Sequence, residues 1–169
     1  KCIGGGEISA IVGINPYQSP LDVYLRKFGL IEVPETQAMR LGKRLEPIVA
    51  GLYCDATGRG GYHLNAEILH HQHLPWVIGT PDILFPEDHI GVELKTAGIR
   101  QAPNWGEPGT DDIPAMYRTQ VAWYQAITGY SQWEVAVLIG GQDFRLYQIA
   151  RDLDLEALLL EAGRRFYNV

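Results

Sequence analysis

The stretch from Trp76 to Lys95, WVIGTPDILFPEDHIGVELK, decides the fold. Its second half, His89–Lys95, alternates Ile, Val and Leu with His, Gly, Glu and Lys, which is the period-two pattern of a strand. Its first half is an apolar run rich in β-forming residues, and Pro86–Asp88 between the halves has the composition of a turn. The stretch therefore predicts a hairpin that brings Asp82 beside Glu93.

Pro81 interrupts the first apolar run of this hairpin. Proline has no backbone N–H to donate to a sheet, so Thr80–Asp82 is predicted to lie at a strand edge, a bulge or an irregular crossing, and such breaks often direct a side chain into a site. On the second strand, Glu93 and Lys95 share one face. Carboxylates beside an amine suit a phosphodiester-cleaving site that works through divalent metal. A solvated surface ion pair is the alternative interpretation of Glu93 and Lys95.

A third acid, Glu46, lies in the helix predicted over Thr36–Thr57. Apolar residues recur there at helical spacing, and Glu46 flanks this stripe rather than opposing it. The adjacent Pro47 should remove a helix hydrogen bond and kink the axis, which would turn the acid inward. A solvent-facing glutamate before a proline is the alternative.

A second helix, predicted over Pro114–Ile127, carries candidate supporting residues. Proline fits its first turn, and one acid of the Asp111–Asp112 pair is the candidate cap. Gln120 and Tyr124 are four residues apart and so share a face. Gln120 could therefore hydrogen-bond Lys95 or an attacking water, although a polar pair on the helix surface would show the same spacing.

The remaining pattern predicts an α/β architecture, with a mixed central sheet flanked by helices. Gly140–Asp143 has the composition of a hairpin turn. The length of 169 residues, 46% of them hydrophobic, and the lack of a composition break predict one nuclease domain over residues 1–169. The predicted elements are helices at Glu7–Val12, Leu21–Phe28, Thr36–Thr57, Pro114–Ile127 and Leu153–Tyr167, a sheet from Glu67 to Lys95, and strands at Trp133–Ile139 and Phe144–Ile149.

The formal net charge of −6 opposes DNA binding, because non-specific affinity depends on Lys and Arg neutralising phosphates. Part of this charge would be the metal site itself, which bound cations offset. We expect a local basic rim and modest affinity per subunit. The rim candidates are Arg26, Lys27, Arg40, Lys43, Arg44, Arg100 and Arg118.

Two cysteines without a CxxC motif predict a reducing compartment and argue against an iron–sulfur cluster, which needs four thiolates. No apolar run approaches the roughly 18 residues that span a bilayer, and the start lacks the form of a secretory signal. We therefore expect no membrane partner and a cytoplasmic location in a bacterial or phage-infected host cell. The absence of an initiating Met suggests that the numbering begins inside a longer product.

Two further features have competing interpretations. Trp105 lies in the loop Ala97–Asp112, where it would either stack on an unpaired base, cover the site as a lid, or anchor the loop to the body. Four histidines invite a zinc hypothesis, but their spacing fits no common tetrahedral template and no cysteine is near. These histidines are His63, His70, His71 and His73.

Taken together, the motifs resemble a known family over nearly the whole chain. It is the family of YqaJ-type viral recombinase nucleases, which are relatives of phage lambda exonuclease within the PD-(D/E)XK superfamily and have a restriction-endonuclease-like core. The order and spacing of the motifs are specific, although each one alone is not. The motifs are GGGEISAIVGINPYQSPLDVYLRKFG at 4–29, MRLGKRLEP at 39–47, GTPD at 79–82, VELKTA at 92–97, PAMYRTQVAWY at 114–124 and VAVLIGGQDFRLYQI at 135–149.

The resemblance implies a two-metal site in which Asp82 and Glu93 hold Mg²⁺ with the backbone carbonyl of Leu94, and in which Mn²⁺ can substitute. By the same likeness, Glu46 serves the metal from its helix, Lys95 positions or polarises the water, and Gln120 supports the group. It also implies action on duplex DNA ends in phage-type recombination, with a single-strand annealing protein as partner and, for some members, a ring-like homo-oligomer.

The chain departs from the family pattern in its end-recognition residues. Gly6 stands where many relatives have Ser in a GGS-D/E motif, so it offers a DNA phosphate only its backbone. Relatives often read PDG where this chain has Asp82-Ile83, and an Arg expected before the GG motif lies outside the chain. Arg100 is a candidate replacement phosphate contact or, alternatively, a solvated loop residue. Gly6, Arg100 and Tyr124 are the candidate substrate-binding residues.

These patterns predict a Mg²⁺-dependent 5′-to-3′ exonuclease. Two alternatives stay open. The first is an endonuclease or structure-specific nuclease on the same fold, and the second is a non-catalytic DNA-binding scaffold of recombination.

Overall fold

The structure is a computed structural model that describes residues 2–64 and 67–169. Its main sheet has four strands in the order β3-β4-β5-β6, with β4 and β5 parallel and the outer pairs antiparallel. The helices are α1 (Gly5–Ile11), α2 (Pro20–Lys27), α3 (Gln37–Thr57), α4 (Ala115–Thr128) and α5 (Leu153–Tyr167), with a 3₁₀ helix at Ile99–Asn104. The strands are β1 (Leu69–His70), β2 (Ile78–Gly79), β3 (Ile83–Phe85), β4 (Ile90–Ala97), β5 (Gln132–Ile139) and β6 (Asp143–Ala150).

The break predicted at Pro81 is confirmed, and it divides the first apolar run between two sheets. β2 pairs with β1 in a separate two-stranded sheet, whereas β3 pairs with β4. The expected continuous sheet from Glu67 to Lys95 is therefore wrong, because the segment Thr80–Asp82 carries no ladder. The predicted hairpin is confirmed, with Ile83 opposite Val92.

Strand alternation divides the core into two clusters, one on each face of the sheet. On one face, Val92 and Leu94 of β4 pack with Ala136 and Leu138 of β5 against α3. On the other, apolar residues of β5 such as Trp133 pack against the interior side of α4. Glu93 and Lys95 lie on the α4 face of β4, so the fold directs them toward that helix.

The ends of the helices follow local capping chemistry. Ser19 and Asp22 form a capping box that starts α2 at Pro20. Thr36 caps α3 by accepting from Met39 N at 3.2 Å, and the helix then continues through Pro47 to Gly58 in the left-handed region.

The helix α4 is capped differently from the prediction. Pro114 is its N-cap, without a side-chain hydrogen bond. Neither acid of the Asp111–Asp112 pair serves as the cap, so that expectation is wrong. The carboxylate of Asp111 instead accepts a hydrogen bond from Arg118 Nη1 at 2.7 Å.

Within the part of the chain that the structure describes, no helix combines the length and the apolar character needed to cross a bilayer. Cys2 and Cys54 are both free thiols.

Candidate active site

Asp82 lies at the break between β2 and β3. It immediately precedes Ile83, the first residue of β3, which pairs with Val92 of β4. Its Oδ2 accepts a hydrogen bond from the backbone N–H of Leu94 at 2.7 Å. Because a break carries no ladder partner, the side chain of Asp82 takes the place that a neighbouring strand would occupy beside Leu94. The predicted juxtaposition of Asp82 and Glu93 is therefore present.

Glu93, Lys95 and Gln120 form one hydrogen-bonded group. Lys95 Nζ donates to Glu93 Oε1 at 2.5 Å and to Gln120 Oε1 at 3.2 Å, and Gln120 Nε2 donates to Glu93 Oε1 at 2.6 Å. The side chains of Glu93 and Lys95 are only 3% and 18% exposed, so the pair is not the solvated surface ion pair of the alternative interpretation. The predicted contact between Gln120 and Lys95 is present.

Tyr124 joins this group to two glycine-containing segments. Gln120 Nε2 donates to Tyr124 Oη at 3.1 Å, and that hydroxyl donates to the carbonyl of Thr80 at 3.4 Å. A Cβ at Gly5 would lie 2.5 Å from Cε1 of the tyrosine ring, and one at Gly79 would lie 2.8 Å from Cδ1. Only glycine therefore allows α1 and the end of β2 to close on this ring. Tyr124 is only 3% exposed, so its ring packs in the interior and offers no open surface to a substrate.

Glu46 lies in the first half of α3, which packs against β4; a Cβ added at Gly42, one turn earlier, would lie 3.5 Å from Thr96 Oγ1. Burial raises the pKa of Glu46, the charge of Asp82 raises it further, and Lys95 lowers it. Glu46 is thus partly buried within electrostatic reach of both residues. The helix passes through Pro47 without interruption, so the inward position of the acid does not depend on a break in α3.

Burial raises the pKa values of Asp82 and Glu93, so both carboxyl groups ionise less readily than they do in water. Burial, followed by the charge of Asp82, raises the pKa of Glu93 to about 8. Burial also raises the pKa of Asp82, although Lys95 and the Leu94 N–H oppose that shift. For Lys95, burial lowers the pKa, but Glu93 and Asp82 outweigh burial and the net shift is upward. Lys95 is therefore an ammonium at neutral pH, a charged hydrogen-bond donor in this group.

The donor set fits a divalent cation. Glu93 Oε2 is buried and, among residues 2–64 and 67–169, has no hydrogen-bond partner. A buried carboxylate oxygen without a partner, beside a second carboxylate, is electrostatically incomplete, and a hard cation supplies the missing charge. In the same described ranges, no three His, Cys, Asp or Glu side chains are grouped closely enough to hold a metal ion. The assignment of Asp82, Glu93, Leu94 and Glu46 as ligands stays a prediction.

The pKa of Glu93 predicts that the stability of the metal-free protein depends on pH. The native state keeps a proton that the unfolded state releases between about pH 4.5 and about pH 8, so the free energy of unfolding falls as pH rises through that window. We expect the melting temperature in EDTA to drop by at least about 3 °C across it. In Glu93→Gln most of this drop should vanish. Equal pH dependence in both proteins, measured by scanning fluorimetry, would contradict the raised pKa.

The candidate substrate-binding residues other than Tyr124 are exposed. Gly6 lies in the first turn of α1, where a Cβ would meet nothing within 4 Å. Arg100 lies in the 3₁₀ helix directly after β4 and, in the described part of the chain, has no ion pair. Neither residue is hydrogen-bonded to the group around Glu93 in the structure.

Four of the seven predicted rim residues already form ion pairs with acids of the chain. Arg26 and Lys27 both pair with Glu7 at 2.8 Å, Lys43 pairs with Glu35, and Arg118 pairs with Asp111. Among the rim candidates, and within the residues that the structure describes, the three without an ion pair are Arg40, Arg44 and Arg100, all of which are exposed.

Trp105 is 4% exposed, and its ring lies 5.4 Å from both Tyr117 and Tyr147. A base-stacking or lid role for Trp105 is therefore wrong, since the ring is already packed; the tryptophan anchors its loop. The rings of His71 and His73 are 6.2 Å apart, and His71 Nδ1 accepts from His73 N. Neither histidine belongs to a metal-binding group within residues 2–64 and 67–169.

One residue of the site was missed by the sequence prediction. Lys95 Nζ lies 5.0 Å from the centre of the Tyr117 ring, a cation–π contact. Tyr117 precedes Gln120 by three residues on α4, and that helical spacing was the available signal. The prediction for this face of α4 included Gln120 and Tyr124 but not Tyr117.

Sequence comparison gives two matches. Residues 1–131 match the model of a family described as YqaJ-like viral recombinase domain. The YqaJ protein of Bacillus subtilis (strain 168) is 31% identical over 172 residues, an alignment that covers 99% of this chain and 53% of that protein. The chain thus spans about half the length of the curated relative it matches.

Structure comparison finds phage-type exonucleases of the restriction-endonuclease-like fold. An alkaline exonuclease from Laribacter hongkongensis, LHK-Exo, superimposes with a TM-score of 0.75 at 18% identity, covering 99% of this chain and 86% of that one. LHK-Exo has also been solved in complex with dAMP. A phage related exonuclease from Haemophilus somnus 129PT gives a TM-score of 0.71 at 14% identity, covering 99% and 93% of the two chains. At these identities the likeness confirms the predicted fold.

Proposed function

The chain belongs to the YqaJ-like viral recombinase domain family, and from that premise we propose that it is a metal-dependent DNA exonuclease that degrades duplex ends in the 5′-to-3′ direction. The observation that supports this most is the group formed by Glu93, Lys95 and Gln120 beside Asp82. A stability role alone does not account for it, because burying an acid with an unpaired oxygen costs free energy. One nuclease domain over residues 1–169 is part of the proposal.

In this proposal Asp82 and Glu93 hold the metal, with the Leu94 carbonyl and Glu46 as further oxygen donors. A bound divalent cation would supply charge stabilisation at the scissile phosphate and lower the pKa of the attacking water. Mg²⁺ is the proposed ion, with Mn²⁺ as a substitute.

Lys95 and Gln120 contribute chemistry of their own. The ammonium of Lys95 orients the attacking water by hydrogen bonding and offsets negative charge that develops on the phosphate. Gln120 holds both Lys95 and Glu93, so it fixes their relative position before substrate arrives. The site is largely dehydrated, which strengthens these interactions.

The proposed substrate is DNA with a free end. LHK-Exo in complex with dAMP supports this choice, because a deoxynucleoside monophosphate is what an exonuclease would release. We further propose phosphate contacts from Arg100 and from the backbone at Gly6. We also propose that the protein acts in phage-type recombination, as a ring-like homo-oligomer and with a single-strand annealing protein as partner.

The experiment that tests this function uses two substrates with Mg²⁺. One is a linear duplex with one phosphorylated and one unphosphorylated 5′ end, each separately labelled; the other is a covalently closed circle. We expect label to be released from 5′ ends of the linear duplex, the circle to survive, and EDTA to stop the reaction. Cutting of the circle would favour an endonuclease, and an intact linear duplex would favour the non-catalytic scaffold.

A further inference from the structure

Tyr17 is the most exposed aromatic ring that the structure describes. It is 68% exposed, compared with 45% for Phe28, whereas Trp105 is buried. An aromatic ring this exposed carries a cost in water, because its apolar faces lie outside the core. A ring that stays exposed without packing against its neighbours is available to a ligand with flat faces.

Tyr17 is also held at both ends. Asn15 Oδ1 accepts from Tyr17 N at 2.8 Å, and Asn15 Nδ2 donates to Ser9 Oγ of α1 at 3.0 Å. At the other end, Gln101 Nε2 donates to the Tyr17 hydroxyl at 2.8 Å, while Gln101 Oε1 accepts from Gly98 N. The ring is exposed but fixed, so a ligand that stacks on it would lose little conformational freedom.

The Gln101 anchor connects Tyr17 to the segment that follows β4, the strand of Glu93 and Lys95. Gln101 belongs to the 3₁₀ helix that follows β4, six residues after Lys95. Tyr117 is a second link, because its ring lies 5.0 Å from Lys95 Nζ. Burial raises the pKa of Tyr117, Lys95 lowers it, and the hydroxyl of Tyr17 is near enough to contribute a smaller upward shift. Arg100, exposed and adjacent to Gln101, lies in the same turn. The exposed Tyr17 ring and the exposed Arg100 side chain thus both lie at the segment that continues the strand of Glu93 and Lys95.

We propose that Tyr17 is a base-stacking residue, and that it holds an unpaired base of the DNA strand whose phosphate lies at Asp82, Glu93 and Lys95. This inference rests on the proposed function and names how that site would bind its strand. Stacking on a tyrosine suits a nuclease without sequence preference, because every base has a π-face. Arg100 would meet the neighbouring phosphate as a charged contact.

The test measures binding of a fluorescein-labelled single strand by anisotropy, with Ca²⁺ in place of Mg²⁺. In Tyr17→Ala the dissociation constant should rise about thirtyfold, the middle of the range for loss of one stacked base. Tyr17→Phe keeps the ring but loses the hydrogen bond from Gln101, so it should weaken binding far less than Tyr17→Ala does. Leu158→Ala removes an equally exposed side chain on α5, 69% exposed, and should leave binding unchanged.

A second arm separates stacking from damage to the fold. A strand with abasic sites at the contacted positions should bind wild type and Tyr17→Ala equally, because the base that stacks is absent. A 2-aminopurine base at the same positions should be quenched by the wild type and by Tyr17→Phe, but not by Tyr17→Ala. Unchanged affinity in Tyr17→Ala, or an equal loss on the abasic strand, would overturn the inference.

The outcomes also separate this inference from the proposed function. A wild-type protein that degrades linear duplex while Tyr17→Ala keeps full affinity overturns the stacking role alone. A wild-type protein that neither cuts DNA nor binds the single strand overturns both.

Discussion

Asp82→Asn should reduce DNA hydrolysis by at least about a thousandfold. The amide oxygen can still accept from Leu94 N at the position that Asp82 Oδ2 occupies, so the backbone contact survives. The second oxygen becomes an NH₂ group, which carries no charge and cannot bind a cation. The variant should therefore fold normally and lose both Mn²⁺ binding, measured by calorimetry, and release of labelled nucleotides.

The matched control is Asp88→Asn, which makes the same chemical change in the exposed turn of the same hairpin. It should keep both activity and metal binding. If Asp82→Asn cuts DNA at the wild-type rate, the β3–β4 hairpin does not carry the metal site.

Lys95→Met should reduce hydrolysis by at least about a hundredfold, but without the loss of metal binding expected for Asp82→Asn. Methionine has nearly the length of lysine and can occupy the space beside the Tyr117 ring. It cannot donate to Glu93 or Gln120, and it cannot place a positive charge near the phosphate. Because an ammonium repels a nearby cation, its removal should leave Mn²⁺ affinity equal to or higher than that of the wild type.

This split between rate and metal affinity is what a purely structural role would not produce. Arg165→Met serves as the control, since it also replaces a cation by methionine and Arg165 is 79% exposed in its pair with Glu161 on α5. Near-normal cleavage by Lys95→Met would remove the amine from the proposed mechanism. Loss of Mn²⁺ binding in Lys95→Met would show that the side chain instead maintains the shape of the site.

The hairpin and the strands after it could be predicted because their signals are local. Alternation in β4, the turn after Phe85 and the glycines before Asp143 each specify a conformation within a few residues. In the apolar run Trp76–Phe85, the sequence predicted a break at Pro81 but not that the two parts join different sheets. Which strand pairs with the residues before the break depends on contacts distant in sequence, and β1 has only two residues to signal it.

The site was predictable where strand or helix spacing places two residues on one face. That argument placed Glu93 with Lys95 and Gln120 with Tyr124, and the structure brings all four together. Spacing could not decide between the three interpretations of Trp105, because burial of a loop aromatic depends on partners distant in sequence; the structure shows that it anchors its loop. The cap of α4 was missed for a related reason: Asp111 had a competing partner in Arg118.

The ring of Tyr124, enclosed by Gly5 and Gly79, has a consequence for the products of the proposed reaction. The ring packs against both the segment that bears Gly6 and the segment that bears Asp82, so closely that a Cβ at Gly5 or Gly79 would clash with it. A strand terminus held at Gly6 and the bond cut beside Asp82 would then be separated by an invariant interval. Under the proposed function, this fixed distance would determine the length of the released fragment, and all fragments would have the same size.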